Sequence, residues 1–223
     1  MKKKLIIWDF DGVIADTDYI WIENLYKNMK SKFNIKDSLS DFYTKYNGMS
    51  SITQRIIFND LGYKTSNYFW KNLRNEFIEK IKRDFPLIDG VCKTISEIKY
   101  SQCLATGTPL QHLKIKIKLS GLESIFNKNN TFSSSMVEKG KPEPDLFLLA
   151  AKTMGYKPED CIVIEDSIAG LTAAIKANMT PIAFTGSDIC QNNAYKNKVK
   201  ELGIKYIFDD MNKIKELLIK ETL

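Results

Sequence analysis

The sequence predicts an α/β fold: a mostly parallel sheet flanked by helices, with a small all-helical module inserted after the first strand. Three observations predict it. From residue 86 onward, apolar runs of strand length alternate with amphipathic stretches of helical length, the pattern of strands joined by crossover helices. Residues 17–85 carry helical periodicity and no convincing strand. Polar residues gather just past successive apolar runs, where sheets of this kind place their ligands.

The elements follow in order. Leu5, Ile6 and Ile7, with Trp8 behind them, read as a strand buried on both faces. Residues 17–33 place Tyr19, Ile22, Tyr26 and Met29 at three- and four-residue steps, a helical stripe. Residues 38–46, 50–61 and 66–83 are further helices. In the 50–61 segment, Ile52, Ile56 and Phe58 are the expected apolar positions and Gly62 the stop. Asn47 and Gly48 are expected to form a tight turn. Pro86 and Gly90 then punctuate a linker, residues 91–99 form a helix, and CLAT ending at Thr106 is a short strand. GTP turns the chain, residues 110–119 form a helix ended by Gly121, and FSSS from Phe132 is a strand. EKGKPEPD is a loop before a helix at 146–154. CIVIED from Cys161 is a strongly apolar strand ending in acid, followed by a helix at 170–178. TPIAF from Thr180, KYIFDD from Lys205 and a final helix from Asn212 complete the alternation. The expected division is an α/β core of residues 1–16 and 86–223 with a helical module of residues 17–85.

Composition bounds the function. At 43% hydrophobic and 27% charged residues the chain reads as globular, and its longest apolar runs are too short to span a membrane. MKKKLIIWDFD begins like a signal peptide, but its apolar run stops at two Asp, so a cytoplasmic protein is expected. Cys92, Cys103, Cys161 and Cys190 are widely spaced, no CxxC occurs, and His112 is the sole histidine, which argues against a zinc site. Reduced, mostly buried thiols are expected. The formal charge is +6, yet only Arg55, Arg74 and Arg83 are arginines and the lysines are scattered. Nucleic-acid readers favour arginine, so no nucleic-acid partner is expected. An attraction for small anionic substrates remains.

The stretch DFDGVIADTD sets the chemical question. Asp9 and Asp11 are two like charges that repel unless a cation, a shared proton or hydrogen bonds offset them, although Asp and Gly are also ordinary turn formers. Thr106 ends the CLAT strand, Lys141 lies in GKPEPD, and Glu165 and Asp166 end the CIVI strand. Each has a bland reading: a helix cap, a solvated lysine, a turn. Together they suit one task. Asp9 and Asp166 offer hard oxygen ligands for Mg²⁺, with the Asp11 backbone carbonyl and waters beside them. A carboxylate nucleophile needs an electrophile with bound counter-charge, Asp11 can move a proton, and Thr106 and Lys141 can hold phosphoryl oxygens.

DFDGVIADTD, LATG from Leu104, KGKPEPDLF from Lys139 and IEDSIAG from Ile164 resemble, in order, the four motifs of the haloacid dehalogenase superfamily. The resemblance covers nearly the full chain. The match is to its branch of sugar-phosphate phosphatases and β-phosphoglucomutase, which implies a Rossmann-like sheet with the helical module as a cap. It implies that Asp9 becomes an aspartyl-phosphate, Asp11 serves as acid and base, Thr106 and Lys141 hold phosphate, and Asp166 is a metal ligand. Glu165 matches a position that is a ligand in some members and lies behind the ligands in others. The implied metal set is Asp9, Asp11, Glu165 and Asp166, the cofactor Mg²⁺, and the partner a small phosphorylated metabolite met by a monomer or weak homodimer.

The resemblance also frames the rivals. Halide needs no proton on departure, whereas an alkoxide does, so Asp11 argues against a dehalogenase. No cap lysine among Lys27, Lys30, Lys32 and Lys36 has the context of a phosphonatase Schiff base. A non-catalytic binding protein would be expected to have lost one of these groups. The resembling mutases carry a His shortly after the first motif and an Arg after the cap glycine; Trp21 and Ser51 stand there in this chain. Hydrolysis of a small phosphate monoester is therefore expected over transfer between sugar hydroxyls. Asp16 is expected to be structural, while Thr17 and Asp18 either cap a helix or meet substrate. In the cap, Arg55 binds an anionic group or is simply exposed, and Trp21, Tyr43 and Tyr46 stack on a ligand or on one another.

Overall fold

The computed structural model describes residues 4–46, 49–187, 190 and 193–220; the turn expected at Asn47 and Gly48 lies outside them. The chain forms two compact units, one of Met1–Asp16 and Leu87–Leu223, the other of Thr17–Pro86. Among the described residues no helix is long and apolar enough to cross a membrane.

In the first unit, strands β1 (Leu5–Trp8), β2 (Ser101–Thr106), β3 (Thr131–Ser133), β4 (Cys161–Glu165), β5 (Thr180–Phe184) and β6 (Tyr206–Phe208) form one parallel sheet. Its order is β3-β2-β1-β4-β5-β6, so β1 is central. The Rossmann-like arrangement expected from the sequence is present. Every residue of β1 and β4 is buried, because a parallel sheet is covered on both faces and its inner strands must be apolar on both. Leu5, Ile7, Cys103, Ala105, Cys161 and Val163 pack on one side against Leu146, Phe147 and Ala150 of α7 (Asp145–Met154) and Ala173 and Ala174 of α8 (Ile168–Lys176). Alternation turns Ile6, Trp8, Leu104 and Ile164, all buried, to the other side. There the Trp8 Nε1–H donates to Gln102 Oε1 at 2.9 Å, and Gln102 Nε2 donates to Ile95 O in α5 (Val91–Glu97) at 2.9 Å. A buried polar group needs such a partner.

The remaining helices of this unit are α6 (Leu110–Ser120), α9 (Asn193–Glu201) and α10 (Met211–Ile219). The sequence pattern did not predict α9. Its segment NAYKNKVKE offers Val199 as a buried anchor, packed with Leu171, Ala183 and Ile204, and Tyr195 half-buried beside them. One anchor and one ring do not make a periodic stripe. Cys103, Cys161 and Cys190 are buried and Cys92 half-buried, all as free thiols. Burial, with the nearby Asp160 and Glu159 charges, pushes the Cys161 thiol up to about 12.

The second unit is all helical: α1 (Asp18–Phe33), α2 (Leu39–Tyr46), α3 (Ser51–Asp60) and α4 (Asn67–Arg83). It occupies the chain between β1 and α5, the insertion the sequence predicts. Ser50 and Ser66 cap α3 and α4, their side chains accepting from Thr53 N and Phe69 N at 3.1 Å each. Thr17 precedes α1 without a side-chain capping bond. The core joins Ile22, Leu25 and Met29 to Phe42, Phe58, Trp70 and Leu73. Tyr46 packs there too, its ring 4.6 Å from Phe42 and 4.8 Å from Phe58.

The inward face of α3 differs from expectation. Ile52 and Ile56 are 70% and 56% exposed, while Gln54 is fully buried beside Phe58. Gln54 is held by tertiary partners: its Oε1 accepts from Trp21 Nε1 at 3.0 Å and its Nε2 donates to Tyr46 O at 3.0 Å. With both ends satisfied, the amide packs without leaving a polar group unpaired, and the helix turns its isoleucines outward.

Candidate active site

The site is built at the carboxyl edge of the sheet. β1 delivers Asp9, whose N–H still donates to Ile164 O of β4 at 3.0 Å. The chain then turns through Gly12, at φ +78°, with Gly12 N donating to Ala15 O at 2.9 Å. The positive φ favours glycine, and a closer approach requires it. A Cβ at position 12 would lie 1.8 Å from Asp166 Oδ2. Gly170 is similar: a Cβ there would lie 1.7 Å from Glu165 Oε1. Each glycine makes room for one carboxylate.

Lys141 reaches in from the loop before α7. Its ammonium donates to Asp9 Oδ1 at 2.7 Å and to Glu165 Oε1 at 2.6 Å. Glu165 Oε2 accepts from Ser167 N at 2.6 Å, so both its oxygens have partners. Asp9, Glu165 and Asp166 are all buried and bring carboxylate oxygens within 4.8 Å of one another. The Asp166 carbonyl accepts from Tyr195 Oη and from Cys190 Sγ, the latter at 3.5 Å.

Thr106, 1% exposed, leaves β2 at the same edge, since Trp8 pairs with Leu104 two residues earlier. Its Oγ1 accepts from Thr108 N at 3.1 Å, which leaves the hydroxyl hydrogen free to point at a ligand. The serines after β3 brace this turn: Ser133 Oγ donates to Thr108 O and Ser134 Oγ to Gly107 O, each at 2.7 Å.

Asp11 is turned to different partners. Its carboxylate accepts from Thr108 Oγ1 at 2.5 Å and from Lys116 Nζ of α6. The carboxylate cluster above contains Asp9, Glu165 and Asp166, and the Asp11 side chain is not in it. Sequence reasoning missed Thr108 and Lys116. No local signal marked the lysine: Lys116 alternates with Lys114 and Lys118 in the sequence, and only the fold puts it on the buried stripe of α6 with Leu113, Ile117 and Ser120.

Charge balance decides what the cluster fits. Burial foremost, with Glu165 and Asp11 adding and Lys141 opposing, pushes the Asp9 carboxyl up to about 7. Burial also works against the charge on Lys141, but Asp9 and Glu165 outweigh it and hold the lysine above its ordinary value. One ammonium therefore pairs with two of three clustered carboxylates, Asp9 and Glu165. All-oxygen donors with an excess of negative charge suit a hard divalent cation. Asp9, Glu165 and Asp166 form a site consistent with Mg²⁺.

The model of the haloacid dehalogenase-like hydrolases matches residues 6–184. The chain belongs to this family. Among its relatives, a phosphorylated carbohydrates phosphatase of Thermotoga maritima is 27% identical over 185 residues, covering 79% of this chain and 82% of the relative. A β-phosphoglucomutase of Bacillus subtilis is 27% identical over 190 residues, covering 79% and 80%. A solved haloacid dehalogenase hydrolase from Entamoeba histolytica superposes with a TM-score of 0.81 at 23% identity, covering 98% of this chain and all of the other. That superposition shows the shared fold, with the helical insertion after the first strand.

Proposed function

We propose that the protein is a Mg²⁺-dependent phosphatase that hydrolyses a small phosphate monoester through an aspartyl-phosphate on Asp9. The observation that carries this reading is the buried Asp9, paired to Lys141 through Oδ1 at 2.7 Å beside the Glu165–Asp166 carboxylates. The phosphatase and mutase activities named for its relatives agree with it.

In the first step, Asp9 attacks phosphorus and the bond to the alkoxide oxygen breaks, with Asp11 giving that oxygen a proton. In the second, Asp11 takes a proton from water as the water attacks the aspartyl-phosphate; inorganic phosphate leaves and Asp9 is restored. Thr106 and Lys141 donate to phosphoryl oxygens, and Lys141 keeps its counter-charge through Glu165. Thr108 and Lys116 set the orientation from which Asp11 works. Asp9, Asp166 and the Asp11 carbonyl are the residues to hold Mg²⁺, with Glu165 either completing the set or acting through Lys141. Bound there, Mg²⁺ supplies the positive charge that lets an anionic phosphate approach carboxylates.

Hydrolysis is preferred over mutase chemistry because of Trp21. At the place of the mutases' histidine, its Nε1–H is committed to Gln54 at 3.0 Å and its ring stands edge-on to Phe77. Incubating the Mg²⁺-loaded protein with a panel of sugar phosphates, and measuring free phosphate alongside isomer exchange, tests the reading. Free phosphate should accumulate, and EDTA should stop it. Isomerised sugar phosphate forming faster than inorganic phosphate would contradict it.

A further inference from the structure

The helical unit contains a cavity of about 300 Å³ whose chemistry the reaction at Asp9 does not use. Arg55 and Asn59 of α3 line it together with Trp70 and Arg74 of α4, and Ile52 and Ile56 give it an apolar wall. Two of the protein's three arginines thus share one small space. Among the described residues, neither Arg55 nor Arg74 makes a hydrogen bond or an ion pair. The acids of α4 are engaged elsewhere: Glu76 accepts from Asn28 Nδ2 at 2.8 Å and Glu79 from Lys82 Nζ at 2.7 Å. Burial and the neighbouring Arg55 charge hold Arg74 below its ordinary value. Like charges left facing each other are unfavourable unless an anion sits between them.

Trp70 and Asn59 complete the lining. Trp70 is 1% exposed, and its indole Nε1–H is buried without a hydrogen-bond partner. With no surface open to the cavity, that N–H reports on the lining but is not a donor to a ligand. Asn59 spends its carbonyl oxygen on Thr65, accepting from N at 3.1 Å and from Oγ1 at 2.7 Å, which leaves its amide hydrogens to donate. The guanidiniums and the amide are the donors the cavity offers.

We propose that this cavity is a binding site for a small organic anion, a carboxylate or phosphate whose oxygens accept from Arg55, Arg74 and Asn59 and whose carbon body rests on Ile52 and Ile56. The source with this chemistry is a separate small acid. The inference rests on the helical unit alone and is independent of the aspartyl-phosphate reading.

The test follows the Trp70 indole N–H resonance, identified by its loss in Trp70→Phe, as malonate or inorganic phosphate is added. A saturable shift below about 10 mM, the weak range of specific small-ligand binding, is expected. Arg55→Met and Arg74→Met should each weaken it at least about tenfold, the scale for losing a charge-assisted pair. Arg83→Met, on the exposed last turn of α4, is the control and should change nothing. Without added anion, both cavity variants should melt at or above the wild-type temperature, since each relieves a repulsion. No saturable shift with either probe overturns the proposal; so does a shift that survives both substitutions, or variants that melt lower while the shift is unchanged.

Discussion

Gly12→Ala would place a Cβ 1.8 Å from Asp166 Oδ2 and 2.3 Å from its Cγ. Contacts under 3.0 Å are essentially never made by real Cβ atoms, so Oδ2 must retreat by at least 3.0 − 1.8 = 1.2 Å. Mg²⁺ demands near-ideal octahedral geometry at about 2.0–2.1 Å, so a displacement of that size removes Asp166 from any such shell. The substitution also strains the backbone, at φ +78°, by about 1–2 kcal/mol. Gly155→Ala separates the two effects. Its φ is +77° and nothing lies within 4 Å of its Cβ, so it carries the strain without the clash. Titrating Mg²⁺ against p-nitrophenyl phosphate hydrolysis, with circular dichroism as the check on folding, should show the activation constant raised at least about tenfold in Gly12→Ala, the low end for disturbing a metal's supporting groups. Gly155→Ala should titrate like wild type. A folded Gly12→Ala protein with an unchanged Mg²⁺ requirement would refute the placement of Asp166 at the ion.

Asp166→Ala should raise the Mg²⁺ requirement strongly and Glu165→Ala equally or less, because both Glu165 oxygens already serve Lys141 and Ser167; the same titration decides. Lys116→Met removes the ammonium that holds Asp11, so kcat should fall about tenfold, the low end for general acid–base work, with KM nearly unchanged; a rise in KM at constant kcat would count against a positioning role. The Asp9 carboxyl is raised from 3.8 to about 7 in the metal-free fold, so between those values the folded state binds more protons than the unfolded one. Stability contributed at this position should therefore fall as pH rises from about 4 through about 7. Denaturant melts of metal-free wild type and Asp9→Asn over that window should show the wild type losing ground, and Mg²⁺ should restore it; a difference independent of pH would contradict the charge balance described above.

Much of this architecture was legible because inner strands of a parallel sheet must be apolar on both faces. Leu5–Trp8 and Cys161–Glu165 read as continuous apolar runs too short for a buried helix. Asp9, Asp11, Thr106, Glu165 and Asp166 follow the ends of such runs, which is why the sequence allows them one sheet edge. What escaped depends on tertiary partners. Gln54 reads as surface until Trp21 and the Tyr46 carbonyl are beside it, and its burial is what turns Ile52 and Ile56 outward. Lys116 reads as solvated until Asp11 folds back over α6. The helix at Asn193–Glu201 has too few apolar positions to announce itself. The cavity of Arg55 and Arg74 joins residues nineteen apart on two helices, a distance that no local pattern spans.

The central claim is that Asp9 is the nucleophile, and its most direct test is to catch the phosphoryl group on it. Rapid acid quench of the Mg²⁺-loaded protein during turnover, followed by peptide mass spectrometry, should find phosphate as an acyl phosphate on the peptide carrying Asp9. Asp9→Asn should show neither the adduct nor measurable hydrolysis, with its circular dichroism unchanged, since losing a covalent nucleophile removes orders of magnitude in rate. A folded Asp9→Asn protein that keeps more than about a tenth of wild-type activity, generous against the scale of covalent catalysis, would contradict the account.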